Sequence, residues 1–144
     1  MSAGALWLIP TLLGGDDPHL VLPAAVLERV RATQVFFVEE PKSARAFLKL
    51  VDHPCEIRAL EIQQLNNETP RAELERMLDS LRAGKDAAIL SEAGCPALAD
   101  PGASLVRLAH EARIRVAPLS GPSSVTLALM ASGLETQRFR FHGY

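Results

Sequence analysis

The chain has 144 residues, of which 48% are hydrophobic and 22% charged, and its formal net charge is −2 at pH 7. This length suffices for one hydrophobic core but is short for two complete domains, and the composition is that of an ordinary soluble protein. The near-neutral charge excludes the global basic field of a self-sufficient nucleic-acid-binding module, while leaving room for a local basic patch.

Strand and helix patterns alternate along the first half of the chain. In chain order, the sequence predicts a strand at residues 5–9, a helix at 24–30 after Pro23, a strand at 35–38, a helix at 44–51 and a weaker strand at 56–60. The polar residues 63–68 are typical of a loop, so we expect them to connect this weaker strand to the next helix.

The same alternation continues in the second half. Thr69 and Pro70 suit the N-cap and first position of a helix, and Gly84 suits its end. The apolar stripe of this helix consists of Leu74, Met77, Leu78 and Leu81. The remaining predictions are a strand at 87–90, a helix at 104–109 with Asp100 as its N-cap, a strand at 114–119, a helix at 125–132 ended by Gly133, and a half-buried strand at 138–144.

This order predicts an α/β fold, a three-layer sandwich around a mostly parallel five-stranded sheet. We expect the large side chains Trp7, Phe36, Phe37 and Met77 to lie in the core. The chain stops inside an apparent strand with three aromatic residues in its last six. We therefore expect residues 1–119 to form an amino-terminal α/β domain, and residues 120–144 to lead into a second domain that is absent from this chain.

Cysteine and histidine are too few and too scattered for a disulfide or metal site. Cys55 and Cys95 are predicted to be free thiols, and the spacing of the four histidines predicts no zinc site. The amino terminus lacks the basic region and apolar stretch of a signal peptide, and no run approaches the length of a membrane span. We expect a cytoplasmic protein without a membrane partner or a bound metal.

The most informative segment is the connection between the predicted strand at 87–90 and the following helix. A strand-to-helix loop in an α/β unit usually has about two to six residues, and this one runs from 91 to 102. It contains two glycines and two prolines and is otherwise nearly all small residues. Small residues let the backbone approach a ligand, and such loops at the carboxyl ends of strands are where open α/β sheets bind ligands.

Several segments, in the same order, resemble the tetrapyrrole (corrin/porphyrin) methylase superfamily. The run from Ser91 to Pro96 with Asp100, Pro101 and Gly102 is similar to that family's Ser-(Asp/Glu)-Ala-Gly-x-Pro…Asp-Pro-Gly signature. The segments 9–11, 116–124, 132–134 and 139–144 resemble further family segments in the family's order. The nearest branch is similar to the ribosomal RNA small-subunit methyltransferases.

The resemblance implies methyl transfer from S-adenosylmethionine by two α/β domains, commonly in a homodimer. The implied acceptor is a ribose 2′-hydroxyl of ribosomal RNA. Two segments depart from this branch: Leu12 to Asp16 stand where it has Pro-Ile-Gly-Asn-Leu, and Glu40-Pro41-Lys42 where it has Asp-Thr-Arg. A tetrapyrrole C-methyltransferase acting on precorrin or uroporphyrinogen therefore stays an alternative. So does an inactive domain that only binds the cofactor or forms the dimer.

The resemblance assigns roles to individual residues. The cofactor-binding set is Ser91, Glu92, Ala93, Gly94, Cys95, Pro96, Asp100, Gly121, Pro122 and Ser123. The substrate-binding set is Pro10, Thr11, Glu39 and Glu40. No catalytic residue is identified, although Glu92 is a candidate base for removing a hydroxyl proton. The structural alternatives are a shape-determining turn at residues 94–96, a plain helix cap at 121–123 and a solvated strand end at 39–40.

Basic residues on one predicted helix suggest contacts with phosphate. Lys42, Arg45 and Lys49, together with Arg138 and Arg140, have the charge for this role, and a solvated surface is the alternative.

Overall fold

Five parallel strands form one sheet in the computed structural model, which describes residues 2–144. The strands are β1 (Leu6–Ile9), β2 (Val35–Val38), β3 (Glu61–Gln64), β4 (Ala87–Leu90) and β5 (Val116–Pro118). Their spatial order is β3-β2-β4-β1-β5, and every neighbouring pair is parallel. The predicted parallel five-stranded sheet is confirmed.

Helices cover both faces of this sheet. The covering helices are α1 (Ala24–Ala32), α2 (Pro41–Leu50), α3 (Arg71–Arg82) and α4 (Ala103–Glu111), and a further helix, α5 (Ser124–Ser132), follows β5 without packing into either core. Apolar side chains of α1 and α2 pack on one face with Phe36, and those of α3 and α4 pack on the other face with Phe37. Because successive side chains of a strand point to opposite faces, two adjacent phenylalanines serve two cores. The three-layer prediction is confirmed.

The third strand lies later in the chain than predicted. Residues Ile57–Ala59 form a short 3₁₀ turn, and the strand is Glu61–Gln64, which follows the predicted strand at 56–60 and runs into the predicted loop at 63–68. This strand lies at the edge of the sheet and pairs only with β2, and its end residues Glu61 and Gln64 are exposed. An edge strand with a solvated side needs no continuous apolar run, which explains why its sequence resembles a loop.

Two predicted helix caps are wrong. The residue that precedes α3 is Pro70, and the hydroxyl of Thr69 instead accepts a hydrogen bond from the backbone N–H of Asn66. Gly102, with φ of 125°, precedes α4, and no side chain caps that helix. Asp100 is therefore free of a capping role. The helix ends at Gly84 and Gly133 are confirmed, since both glycines have the positive φ that such ends require.

The predicted strand at residues 138–144 is also wrong. These residues form no regular structure, and Phe139 and Tyr144 are 59% and 93% exposed. Although polar and aromatic residues alternate here as in a strand, this segment pairs with no strand among the described residues. The preceding helix α5 has no buried residue either, although its sequence is mostly apolar.

A polar network joins β1 to β4 at the amino-terminal edge of the sheet. The Asp86 carboxylate accepts hydrogen bonds from the backbone N–H of Ala5 at 2.8 Å, from Trp7 Nε1 at 3.1 Å and from Arg29 at 3.2 Å. The Arg29 guanidinium also stacks on the Trp7 ring, 3.9 Å from its centroid. Trp7 is thus only partly buried, in contrast to Phe36, Phe37 and Met77, whose predicted core positions are confirmed.

No helix in the described part of the chain is long and apolar enough to cross a membrane.

Candidate functional site

The connections of the sheet create a crevice at the carboxyl ends of β1 and β4. These two strands are neighbours, but the chain leaves β1 towards β2 on one side and leaves β4 towards β5 on the other. Such a switch point separates the two outgoing loops and is the usual ligand site of open α/β sheets. The loops that begin here are those after Ile9 and Leu90, and both contain residues of the predicted site.

Hydrogen bonds hold the β1 and β4 loops together. The backbone N–H of Thr11 donates to Gly94 O at 3.0 Å, and its hydroxyl donates to Ser91 O at 3.3 Å. The Ser91 hydroxyl donates to Gly94 O at 2.6 Å. Thr11 is only 3% exposed, so its hydroxyl is engaged in holding the loop and is turned away from solvent.

Glycine is required where the loops meet. Gly94 has φ of 76°, and a β-carbon there would lie 3.0 Å from Leu13 Cδ2 and 3.1 Å from Pro122 O. A β-carbon at Gly121 would overlap the ring of Pro10. The structure thus brings together the predicted residues of three loops, those that follow β1, β4 and β5.

Two alanines in the long loop have backbone conformations that L-residues rarely adopt. Ala97 and Ala99 have φ of 63° and 57°. Each costs about 1–2 kcal/mol relative to ordinary backbone. Strain of this kind persists only where the surrounding structure fixes the backbone, and the residue before Ala97, Pro96, is buried.

Cys95 faces the turn that follows β5. Its Sγ lies 3.4 Å from Pro122 O, and burial raises the pKa of the thiol. The thiol therefore stays protonated at neutral pH and acts as a weak donor to the carbonyl rather than as a nucleophile. Cys55 and Cys95 are both free in the structure, as predicted.

Two carboxyls at this edge of the sheet, Glu39 and Asp100, have raised pKa values and lie near Glu92. Burial raises the pKa of Glu39, and the charges of Asp100 and Glu92 raise it further. Burial also raises the pKa of Asp100, again with a contribution from the Glu92 charge. Asp100, which we predicted to cap a helix, instead belongs to this acidic cluster of Glu39, Glu92 and Asp100.

Ser43 links the cluster to α2 and is a residue that sequence reasoning missed. Its hydroxyl donates to Glu92 Oε1 at 3.1 Å, while its backbone N–H donates to Glu40 Oε2 at 2.9 Å. Glu40 is therefore the N-cap of α2, with Pro41 in the first helical position. Pro41 in the first helical position is the sequence signal for this helix start, and no sequence pattern links Ser43 to Glu92.

The charge of Glu92 can be tested through its neighbours. Because the pKa values of Glu39 and Asp100 are raised in the folded state, protonation of these groups favours folding, and this contribution is lost as pH rises through the raised values. We expect Glu92→Gln to lower the pKa values of Glu39 and Asp100. The pH range over which the free energy of unfolding falls then becomes narrower. A carbon-detected NMR titration of the side-chain carboxyls measures this, with Glu28→Gln on α1 as the control. Unchanged titration of both groups would contradict the cluster.

A groove opens between the β1 loop, the β4 loop and α2. Its volume is about 410 Å³, and its described lining contains one carboxylate and no basic residue. The lining residues are Thr11, Leu12, Leu13, Gly14, Gly15, Ser43, Ala46, Phe47, Leu50, Ser91, Glu92 and Ala93. A larger cavity of about 600 Å³ lies elsewhere, between α5 and the exposed residues 134–144.

A parallel sheet whose loops converge at a switch point is typical of α/β domains that bind small molecules at the carboxyl edge of the sheet. The family described as Tetrapyrrole (Corrin/Porphyrin) Methylases matches residues 13–142, and the chain belongs to this family.

Curated relatives cover the same region. The chain is 34% identical over 143 residues to ribosomal RNA small subunit methyltransferase I of Escherichia coli O157:H7, covering 99% of the chain and 47% of the relative. The protein of the same name from Pseudomonas aeruginosa is 35% identical over 144 residues, with coverage of 100% and 48%. The Mycobacterium tuberculosis protein of that name is 32% identical over 147 residues, again with coverage of 100% and 48%. The chain thus spans about half the length of these relatives.

Proposed function

We propose that this chain is the amino-terminal domain of an S-adenosylmethionine-dependent methyltransferase that modifies a ribose 2′-hydroxyl of small-subunit ribosomal RNA. The observation that carries the proposal is the meeting of three loops at the switch point, where Gly94 O accepts from Thr11 of the β1 loop and Cys95 Sγ lies 3.4 Å from Pro122 O. Membership of the methylase family and the names of the relatives supply the reaction class and the substrate.

The residues at this edge fit the chemistry of the methyl donor. S-adenosylmethionine has a sulfonium and an ammonium charge, and the acidic cluster provides negative charge beside the crevice. The carboxylate of S-adenosylmethionine suits the start of α5. Ser123 makes no side-chain capping bond there and leaves the N–H groups of the first helical turn free. The two glycines at positions 94 and 121 admit no side chain, because a β-carbon at either would meet atoms of a neighbouring loop, and this lets the loops that form the crevice pack closely.

When bound, the donor supplies an electrophilic methyl group to an in-line displacement. The chain's own residues then have three tasks: to fix the approach of the acceptor hydroxyl, to exclude water and to accept the hydroxyl proton. Glu92 is the candidate for the last task because it lines the groove and Ser43 orients its carboxylate.

Charge inside the groove favours an uncharged nucleoside, with the RNA phosphates outside the groove, over the tetrapyrrole alternative. Precorrins and uroporphyrinogen carry several carboxylates, which need basic partners for binding. The described lining of the groove offers Glu92 and no basic residue, and the Glu39 and Asp100 carboxyls influence the same region. Repulsion between these side chains and the carboxylates of a tetrapyrrole therefore supports a ribonucleoside as the acceptor.

The cytoplasmic localisation and the second domain are part of this proposal. The relatives are about twice as long as the region that they share with the chain, which supports a two-domain enzyme. A second domain would complete the donor site from the opposite side of the crevice.

Calorimetric titration with S-adenosylmethionine tests the class, for the chain and for any longer polypeptide that its gene encodes. Micromolar binding by either form supports the proposal, and absence of binding by both contradicts it. A methylation assay that compares small ribosomal subunits with a porphyrinogen then tests the acceptor. Methyl transfer to the porphyrinogen alone would overturn the rRNA assignment.

We also propose that the protein forms a homodimer through α5 and the residues after it. Met130 and Leu134 are 79% and 76% exposed, and such apolar surface is typical of an interface. We expect Met130→Glu to shift the chain towards monomer in light-scattering measurements, because a charge in an apolar interface loses its hydration. The control is Ala72→Glu on the exposed side of α3. Equal masses for wild type and Met130→Glu would contradict the interface.

A further inference from the structure

Helix α2 has two adjacent exposed faces of different chemistry. At 100° per residue, Ser43, Ala46 and Leu50 lie on one side of the helix, and these residues line the groove. Lys42, Arg45 and Lys49 lie together on the neighbouring side, and Ala46 is the groove residue nearest to them. One helix therefore presents an uncharged groove wall and a basic stripe, defined as Lys42, Arg45 and Lys49, side by side.

The groove has the size and surface of a site for one flat ring. Its volume of about 410 Å³ falls in the range of about 300–1,000 Å³ that small-ligand sites occupy. Leu13, Phe47 and Leu50 supply apolar walls, and Glu92 supplies an acceptor. Because the Ser43 hydroxyl bonds Glu92 Oε1, the second carboxylate oxygen stays available to a ligand N–H.

The basic stripe is free to bind an anion. All three of its side chains are exposed, and none forms an ion pair within the described residues 2–144. Residues Pro41–Leu50 contain no acidic residue, so nothing on the helix itself neutralises the stripe. It extends about 10 Å along the helix axis, from residue 42 to residue 49.

We propose that α2 is the docking helix for a single-stranded nucleic acid, with one unstacked base in the groove and the sugar–phosphate backbone on the stripe. A base inside a duplex is stacked on both sides and cannot enter such a groove, whereas an unpaired base can. The Glu92 carboxylate accepts and cannot donate, so it favours bases with an exocyclic amino group, which offers two N–H donors where uracil offers only its imide N–H. This inference rests on the proposed function and adds to it the helix and the form of the RNA. The base in the groove belongs to a nucleotide beside the methylated one, because Glu92 cannot reach an exocyclic amino group and the 2′-hydroxyl of the same nucleotide together.

The stripe is tested by fluorescence anisotropy with a short labelled single-stranded RNA of mixed sequence. The triple variant Lys42→Gln, Arg45→Gln, Lys49→Gln is compared with Arg76→Gln, Lys85→Gln, Arg107→Gln, which removes equal charge from exposed residues away from α2. We expect at least tenfold weaker binding for the stripe variant, and a fall of about two in its salt slope, since each single-strand phosphate contact contributes about 0.7. Equal weakening by both triples would overturn the proposal.

The groove is tested by Ala46→Phe, which fills it from an exposed position without entering the core. We expect wild type to prefer an amino-bearing RNA over oligouridine severalfold, and Ala46→Phe to lose this preference while keeping the salt slope. A wild type without base preference, or a variant that retains it, would overturn the groove assignment. Titration with S-adenosylmethionine runs in parallel. If the donor binds but the variants bind RNA like wild type, only this inference is rejected. If the donor binds neither to the chain nor to any longer polypeptide that its gene encodes, the proposed function is rejected.

Discussion

Replacing Gly94 with alanine is expected to lower the free energy of unfolding by about 3 kcal/mol and to abolish binding of the methyl donor. A β-carbon at this position meets Leu13 Cδ2 at 3.0 Å and Pro122 O at 3.1 Å, and φ of 76° is unfavourable for alanine. The carbonyl of Gly94 also accepts from both Thr11 and Ser91, so any backbone shift breaks the junction between the loops.

Gly14 is the matched control, because it belongs to the same region and a β-carbon there meets nothing within 4 Å. Urea denaturation measures stability and calorimetry measures donor affinity. We expect Gly14→Ala to change neither quantity appreciably. If Gly94→Ala unfolds at the wild-type urea concentration, the junction does not constrain the loops, and the site geometry has to be reconsidered.

The architecture is largely encoded in short apolar runs. The runs at residues 35–38 and 87–90 are apolar at every position because parallel strands are covered on both faces. Such runs identify central strands without knowledge of their neighbours. The edge strand Glu61–Gln64 carries no such signal, since its pairing with β2 and not its own composition makes it a strand.

The candidate site, like the strands, can be predicted from the sequence only in part. The composition of residues 91–102 indicates a ligand loop, and the positive φ of Gly94 and Gly102 agrees with a backbone shape that needs glycine. The partners of that loop depend on strand order, which no local pattern specifies. Ser43 therefore escapes prediction: it lies 49 positions from Glu92, and only the placement of β2 beside β4 brings them together.

The amino-terminal edge of the sheet shows the same limit and carries the largest stability effect outside the site. Asp86 precedes β4, while Ala5 and Trp7 lie 81 and 79 positions away in sequence. As a lone aspartate after Lys85, Asp86 resembles an ordinary turn residue. Its carboxylate nevertheless completes the junction between the two central strands.

Removing this carboxylate by Asp86→Ala is expected to lower the free energy of unfolding by about 3 kcal/mol. The substitution removes the charged acceptor of two partly buried donors, the backbone N–H of Ala5 and the indole N–H of Trp7, and hydrogen bonds to charged groups contribute about 1.5–3 kcal/mol each. The ion pair with Arg29 adds little, because both side chains are about one-third exposed.

Asp79→Ala is the control for this prediction. Asp79 also pairs with an arginine, Arg82, but its side chain is 68% exposed and it accepts from no buried donor. We expect Asp79→Ala to change stability by less than about 0.5 kcal/mol in urea denaturation. Trp7 fluorescence provides a second readout, since loss of Asp86 frees the indole N–H to bond water and shifts the emission to longer wavelength. Equal destabilisation by the two variants would mean that Asp86 acts only through its surface charge, and that β1 and β4 are held together by backbone pairing and core packing alone.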